Sequence, residues 1–269
     1  MNESGMFNRE ESASGHPTLL TLNRGLAILD LLATCRNAAG MTHAQIADRL
    51  RFRKSTLYRY LANLQGQRYV ELVEDTPCYR LGPKALGLAA AAVRQRGFEA
   101  SAQGFVDALA AATGEMAHAT VFDNGDSVTV AIADGGGPIG PRISVGSRRP
   151  AHLSASGKVF LAFGERRVLD RYLEAPLRAA TTNSISTATQ LFKEVSAVRD
   201  SGFSVDRAEF VDGICCVAAP VSDLSGRVRG SLSVSIAAPR LDDARILDLS
   251  MPLLKQARRF SQFLSGEGE

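Results

Sequence analysis

The sequence has no tryptophan and only four cysteines among its 269 residues. Cys215 and Cys216 are adjacent, and no pair of cysteines has the CxxC spacing of a zinc or dithiol motif. This usage is typical of a reducing compartment and argues against a disulfide-stabilised scaffold. No apolar run approaches the ~20 residues of a membrane-spanning helix, and residues 1–17 lack the apolar core of a signal peptide. We therefore expect a cytoplasmic protein with a disordered tail over residues 1–17 and no membrane partner.

Recognisable catalytic and metal-binding spacings are also missing. The chain has no HExxH or His-x-His sequence and no GxxxxGK[ST] loop for a nucleotide phosphate. We therefore expect no catalytic centre, no metal site and no cofactor. Two alternatives stay open. Cys215 and Cys216 could reduce a small sulfoxide, and a metal could be bound by Asp206, Cys216, His118 and His152.

The order of local signals between Thr42 and Leu81 is that of a winged helix-turn-helix. Thr42 followed by Gln45 forms a capping-box pattern, which starts a short helix. A second helix is predicted from Lys54, because its leucines recur at i, i+4 and i+7. An apolar helix precedes this pair, over residues 22–32, and an alternating hairpin follows it, over residues 70–81. Such a fold places its second helix in the major groove of DNA.

Charge supports this interpretation. Between residues 42 and 68 there are six basic residues and one acidic residue, in a chain whose total net charge is only +3. The positive charge is thus concentrated where DNA phosphates would lie. The alternatives are a solvated helix face, or a winged helix that contacts protein instead of DNA.

A chain of this length predicts two domains of mixed α/β class. We place the winged helix-turn-helix at residues 18–82, an alanine-rich linker helix at 83–97, and an α+β domain at 98–269. The alanine-rich helix could pack against a partner subunit or could simply be the first helix of the second domain. Within that domain we expect, among other strands, a short strand at 142–145 and longer ones at 217–222 and 228–237.

Two segments of the second domain could bind a ligand. Ser231, Ser233 and Ser235 share one face of a strand, which is either an ordinary wet face or the wall of a hydroxyl-lined pocket. The polar stretch 145–158 enters a helix, and the backbone N–H groups at a helix start can bind an anion.

Six segments carry similarity to one known family. They are LNRGLAILDLLA at 22–33, KSTLYRYLANLQ at 54–65, YRLGPKAL at 79–86, VGSRRPAHLSASGKVFLA at 145–162, DRAEFVDGICCVAAPV at 206–221 and GRVRGSLSVS at 226–235. Together they resemble the IclR-type bacterial transcriptional regulators over residues 21–264. The resemblance implies that the α+β domain at 98–269 is an effector-binding domain with a GAF-like sheet. It also implies a dimer or dimer of dimers that binds a palindromic operator in double-stranded promoter DNA and responds to a small carboxylate effector.

The resemblance also implies site residues. DNA would be contacted by Thr42, Arg53, Lys54, Ser55, Thr56, Tyr58 and Arg59. The effector would be contacted by Ala155, Ser156, Asp206, Ile214, Cys216, Ser233 and Ser235. An ionised Asp206 would repel a ligand carboxylate, so we expect Asp206 to accept a ligand hydroxyl or to be protonated in the complex.

Overall fold

The computed structural model describes residues 20–35, 37, 39–74, 76–94, 97–136 and 143–266. The predicted tail at residues 1–17 lies outside this part of the chain. The chain divides into two compact units, residues 1–92 and 93–269.

The N-terminal unit is a winged helix-turn-helix. Its elements are α1 (Leu20–Ala33), β1 (Met41–Thr42), α2 (His43–Leu50), α3 (Lys54–Gly66), β2 (Val70–Leu72), β3 (Cys78–Leu81) and most of α4 (Pro83–Arg94). Ile28, Ile46, Leu57 and Leu61 meet in its core, each at most 1% exposed. The predicted helix pair and hairpin are confirmed.

Local chemistry fixes the start of α2. The Thr42 hydroxyl accepts the Gln45 N–H at 3.3 Å, and the Gln45 side-chain oxygen accepts the Thr42 N–H at 2.8 Å. This is the predicted capping box. The sequence did not indicate β1, which pairs with β3 to make a three-stranded antiparallel sheet of order β1-β3-β2. Two residues are too few for an alternating pattern to show.

The C-terminal unit is a six-stranded antiparallel sheet with helices on both faces. Its helices are α5 (Gly97–Thr113), α6 (Ala155–Phe163), α7 (Arg166–Glu174), α8 (Ala188–Ser201) and α9 (Asp243–Leu264). Its strands are β4 (Met116–Asp123), β5 (Asp126–Ala133), β6 (Arg148–Pro150), β7 (Ser204–Arg207), β8 (Ile214–Ser222) and β9 (Val228–Ala237). The strand order is β6-β5-β4-β9-β8-β7.

Apolar side chains cover one face of the sheet, and the other face carries polar side chains beside a small apolar cluster that packs against α6. Leu232, Val234 and Ile236 of β9 join the core beneath α5 and α9. The alternate residues of β9 face α6, whose Ser156 hydroxyl lies 2.6 Å from the Ser233 hydroxyl. Because helices cover both faces, the serine side of β9 is buried and the expectation of an ordinary wet face is wrong.

Two strand predictions need correction. Residues 143–145 are not a strand, and the strand of this region is β6, at Arg148–Pro150. Arg142, the first residue of the predicted strand, lies outside the described residues. Strand β8 begins at Ile214, three residues earlier than expected, so it includes both Cys215 and Cys216. Pairing with β7 and β9 extends it, an interaction that a local pattern does not reveal.

Gly157 lets α6 pack closely on the short 3₁₀ turn before it. A Cβ at this position would lie 2.2 Å from the Ala151 Cα, which is backbone and cannot move aside freely. We therefore expect Gly157→Ala to lower the free energy of unfolding by about 2 kcal/mol or more, measured by urea denaturation. Gly104→Ala is the matched control, because nothing lies within 4 Å of its Cβ, and it should stabilise α5 by about 0.5–1 kcal/mol. Equal effects of the two substitutions would contradict this account.

Candidate functional site

Helix α3 buries one face and exposes the other. Leu57 and Leu61 are at most 1% exposed and anchor the helix in the core. Tyr58 is 65% exposed, and Lys54, Ser55 and Arg59 are also exposed. The helix therefore presents a hydroxyl-bearing and cationic surface to solvent, as a DNA-reading helix requires.

The other predicted DNA contacts lie close to this surface. Arg53 is exposed at the N-cap position of α3 and makes no side-chain capping bond. Thr56 is half-buried, as is Thr42, whose hydroxyl already caps α2. Thr42 thus has a structural role at the helix start that does not depend on DNA.

Among the described residues of this unit, Arg80 pairs with Glu71 at 2.6 Å, but the cations of α2, α3 and the turns that follow them form no ion pair. Across the described part of the chain, no ion pair involves Arg49, Arg51, Arg53, Lys54, Arg59 or Arg68. Arg51 and Arg68 have left-handed backbone conformations, with φ of 53° and 62°, in the turns that end α2 and α3. This short segment thus carries six cations that have no ion-pair partner in the described residues, which suits contacts to phosphates.

A second candidate site lies between α6 and the polar face of the C-terminal sheet. Strand register aligns its residues in rows that cross the sheet. One row joins Asp206, Cys216 and Ser235, on β7, β8 and β9, and the next joins Ser204 to Ser233 and His118. The register thus brings together four predicted effector contacts from segments far apart in the sequence, Asp206, Cys216, Ser233 and Ser235.

Hydroxyl groups in these rows are paired with one another or with α6. Besides the Ser156–Ser233 pair, the Ser235 hydroxyl lies 3.2 Å from the Cys216 Sγ, and Ser204 donates to the Ala155 carbonyl at 2.5 Å. Ser156, Ser204, Ser233 and Ser235 are at most 3% exposed. The site is therefore a buried polar layer whose hydrogen bonds could be exchanged for bonds to a ligand.

The N-terminus of α6 completes this layer. Ser154 caps the helix by accepting the Gly157 N–H at 3.1 Å. Ala155 and Ser156 supply the first two amides of the helix, which have no acceptor within it. Both residues are buried, and Ile214 is half-buried at the start of β8. Backbone donors and a helix dipole together favour an anion at this position.

Burial dominates the electrostatics of the ionisable groups. It raises the pKa of Asp206 to about 7, a shift that the neighbouring Glu209 charge increases, and the Glu209 N–H bond, Lys158 and Arg149 decrease. It lowers the pKa of His118 to about 3, assisted by the Arg149 charge. It raises the pKa of Cys216 to about 12, so this thiol is not an activated nucleophile at neutral pH.

Sequence reasoning missed the group that anchors α6. Lys158 is fully buried, and its Nζ donates to Glu209 at 2.7 Å, to the Val205 carbonyl at 2.6 Å and to Glu194 at 2.9 Å. These bonds tie α6 to α8, to β7 and to the turn after β7. Lys158 stands in the polar stretch 145–158, but the residues that it binds are 36 to 51 positions away.

Metal binding was one of the alternatives left open. Within the described ranges, no group of three or more histidine, cysteine, aspartate or glutamate side chains is arranged to hold a metal ion.

None of the described helices is long and apolar enough to cross a membrane.

The two units define a class of protein, a winged helix-turn-helix with an exposed cationic helix joined to a domain with a buried polar layer. Comparison with known proteins agrees. Residues 21–74 match the IclR helix-turn-helix domain, and residues 90–262 match the family described as bacterial transcriptional regulator IclR C-terminal. The chain therefore belongs to the IclR family of bacterial transcriptional regulators.

Relatives align over nearly the whole chain. The DNA-binding transcriptional repressor YiaJ of Escherichia coli K12 is 28% identical over 97% of this chain and 93% of its own length. The regulator BhcR of Paracoccus denitrificans is 32% identical over 89% of this chain and 85% of its own. An IclR regulator from Alicyclobacillus acidocaldarius has a TM-score of 0.81, with 25% identity over 93% of this chain and 100% of its own.

A more distant structure shares the fold. An IclR homologue from Microbacterium hydrocarbonoxydans, solved in complex with 4-hydroxybenzoate, has a TM-score of 0.76. It is 18% identical over 91% of this chain and 98% of its own.

Asp206 should make the protein less stable as the pH rises, which is the opposite of the effect of a carboxylate whose pKa is lowered on folding. Its folded-state pKa of about 7 lies above the ordinary 3.8, so the folded state binds the extra proton between these values. The free energy of unfolding should therefore fall as the pH rises from about 4 to 7. Asp206→Asn removes this pH dependence, because an amide does not titrate. The amide oxygen can still accept the Glu209 N–H, so the hydrogen bond is kept.

Urea denaturation at pH 5 and pH 8 measures the effect. Between pH 5 and pH 8, the free energy of unfolding of Asp206→Asn should rise by on the order of 2 kcal/mol relative to that of wild type. Asp170→Asn, at a partly exposed carboxylate paired with Arg166, is the control and should show little change. Parallel pH profiles for wild type and Asp206→Asn would show that Asp206 is ionised in the folded protein throughout this range.

Proposed function

We propose that this IclR-family chain is a sequence-specific regulator whose binding to promoter DNA is controlled by a small organic acid held beside α6. The observation that carries the DNA half is the exposed face of α3, where Lys54 and Arg59 stand free of protein carboxylates in the described chain. The cytoplasm, where bacterial promoters are found, is the compartment in which this activity would operate.

DNA recognition would divide between phosphates and bases. Arg53 and Lys54 lie at the start of α3, and Arg51 and Arg68 lie in the turns at the ends of α2 and α3, where cations suit contacts to phosphates. Ser55, Tyr58 and Arg59 stand on the exposed face of α3 and have hydrogen-bonding groups that can read base edges. Thr42 and Thr56 would assist at the margin of this surface.

A palindromic operator needs two copies of the chain, and the N-terminal unit has apolar surface to spare. Leu20, Leu22 and Leu26 on α1 are 61%, 56% and 48% exposed. Leu86 and Leu88 on α4 are 74% and 53% exposed. Exposed apolar side chains on α1 and α4 support self-association into a dimer, or a dimer of dimers. The spacing of the two half-sites would follow from the geometry of that dimer.

The effector half of the proposal rests on chemistry that suits a small carboxylate. The α6 amides and the hydroxyls of Ser156, Ser233 and Ser235 are donors in a buried layer. Asp206, Ile214 and Cys216 border the same layer. The 4-hydroxybenzoate complex of the Microbacterium homologue supports a carboxylic acid as the kind of ligand. No enzyme is named among the relatives compared above, and we propose no catalytic activity.

The test of DNA binding is fluorescence anisotropy on fragments from upstream of the chain's own gene and its neighbours, across a salt series. We expect selective binding that weakens about tenfold in Arg59→Ala, with a smaller preference for the selected fragment over scrambled DNA, because Arg59 would read a base edge. Arg167→Ala removes an exposed arginine of the other unit, which pairs with Glu165, and should bind as wild type does. Binding equal to that of scrambled DNA, with and without acids, would contradict the proposal.

The effector test adds a panel of small mono- and dicarboxylic acids to the same assay. At least one acid should change the DNA affinity severalfold. An effector that prefers one of two conformations of the protein shifts the equilibrium towards it, and the DNA affinity changes accordingly. The same acid should bind the protein without DNA in isothermal titration calorimetry. DNA binding that no acid alters, and no heat of binding from any acid, would remove the effector half and leave the DNA half standing.

A further inference from the structure

One arginine of the C-terminal unit faces the polar layer but lies outside the predicted site. Arg149 is the central residue of β6 and pairs directly with Ser127 of β5. The Ser127 hydroxyl lies 3.0 Å from the hydroxyl of Ser154, the N-cap of α6. Because directly opposed residues share a face of the sheet, the side chain of Arg149 lies on the α6 side.

The Arg149 side chain contacts a residue that follows the strand at the opposite edge of the sheet. Its guanidinium carbon lies 5.7 Å from the ring centroid of Phe210, which stands in the turn after β7. Strands β6 and β7 are the two opposite edges of the six-stranded sheet. A contact between a residue of one edge strand and the turn beyond the other therefore closes over the polar layer between them.

The turn that carries Phe210 is held firmly. The Ser184 hydroxyl donates to the Glu209 carbonyl at 2.6 Å, and the Thr181 hydroxyl donates to the Ala208 carbonyl at 2.8 Å. The Glu209 side chain accepts from Lys158 at 2.7 Å. Phe210 is thus a fixed aromatic surface on which a guanidinium can rest.

The charge of Arg149 is not neutralised by a protein carboxylate within the described residues. Its neighbour Arg148, by contrast, pairs with Asp123 at 2.8 Å and with Asp126 at 3.1 Å. The Arg149 charge contributes to lowering the pKa of groups on three strands, His118, Asp206 and Cys216, although burial is the largest influence on each. Arg149 is therefore half-buried, unpaired and electrostatically close to the layer.

A second polar group also lacks a partner there. His118 is 2% exposed, and its Nδ1 is buried without a hydrogen bond. His118 is opposite Ser233 in the β4–β9 register, so its side chain is on the α6 face. A buried ring nitrogen without a partner is costly, and a polar ligand in the layer would satisfy it.

We propose that Arg149, resting on Phe210, is the cation that binds the carboxylate of the effector, while His118 meets a second polar atom of the same molecule. This inference rests on the proposed function, and it specifies the ligand as a compact acid with a hydroxyl or carbonyl group besides its carboxylate. Lys158 cannot serve as this cation, because Glu209, Glu194 and the Val205 carbonyl already occupy it. Without the positive charge of Arg149, the carboxylates of Asp206 and Glu209 would repel an anionic ligand.

The test compares acids with their carboxamides in isothermal titration calorimetry on the full chain. Lactate, pyruvate and 4-hydroxybenzoate, each with its amide, are probes that carry the required second polar group. Whichever acid binds wild type should bind at least about tenfold more tightly than its amide. Arg149→Met should lose at least about tenfold in affinity for the acid and should no longer distinguish acid from amide.

Arg148→Met is the matched control, because it removes the adjacent arginine, whose side chain is bound to Asp123 and Asp126. It should keep both the affinity and the preference for the acid. A preference for the acid that persists in Arg149→Met would overturn the inference about Arg149 and leave the effector proposal intact. Failure of every acid, in this set and in the wider panel, to bind wild type would overturn both.

Two further variants guard against a folding defect in Arg149→Met. Phe210→Leu leaves Arg149 in place without its aromatic support and should weaken acid binding severalfold while keeping a reduced preference over the amide. Arg149→Lys retains the charge and should restore part of the preference. Thermal melting of each variant identifies those that are folded. An unaltered acid-to-amide ratio in Phe210→Leu, together with a lost preference in Arg149→Lys, would contradict the role given to the stacked cation.

Discussion

The C-terminal site depends on one buried ammonium group. Lys158 is fully buried, and an isolated charge at such depth would be prohibitively unfavourable. Its two carboxylate partners and one carbonyl partner make the burial tolerable, and in return they determine where α6 lies. The first turn of α6 is thereby held over the serine face of β9. Removing the ammonium would leave Glu209 buried without its counter-charge, which is a larger loss than that of an ordinary surface ion pair.

This arrangement also determines the charge that a ligand meets. Lys158 is engaged by its carboxylates, so it contributes little free positive potential to the polar layer. Asp206 lies beside the layer, and burial raises its pKa enough for it to be partly protonated near neutral pH. Glu209 has one carboxylate oxygen without a hydrogen-bond partner. The acid that we propose as the effector would therefore bind where donors outweigh these carboxylates, at the α6 amides and near Arg149.

Features encoded by neighbouring residues could be predicted from the sequence, and features made by topology could not. The capping box at Thr42 and the leucine spacing of α3 are local, so the helix pair was correctly predicted. The alternation in β9 separated its two faces, but it could not tell a wet face from one covered by α6. Sequence spacing also gives no sign that Arg149 meets Phe210. The two residues are 61 positions apart in the chain, and their segments lie at opposite edges of the sheet.

The pairing of hydroxyls between α6 and β9 suggests how binding of an acid could have consequences beyond the site. A carboxylate that accepts hydrogen bonds from Ser156 and Ser233 would compete with the 2.6 Å bond between their hydroxyls. Binding would then move the start of α6 relative to β9, or select molecules in which it has already moved. Because Lys158 ties α6 to β7 and to α8, such a shift would be shared by several elements and not confined to one side chain. Under this proposal the ligand would exchange the hydrogen bond between Ser156 and Ser233 for bonds to itself, which would give the packed layer the second arrangement that a switch requires.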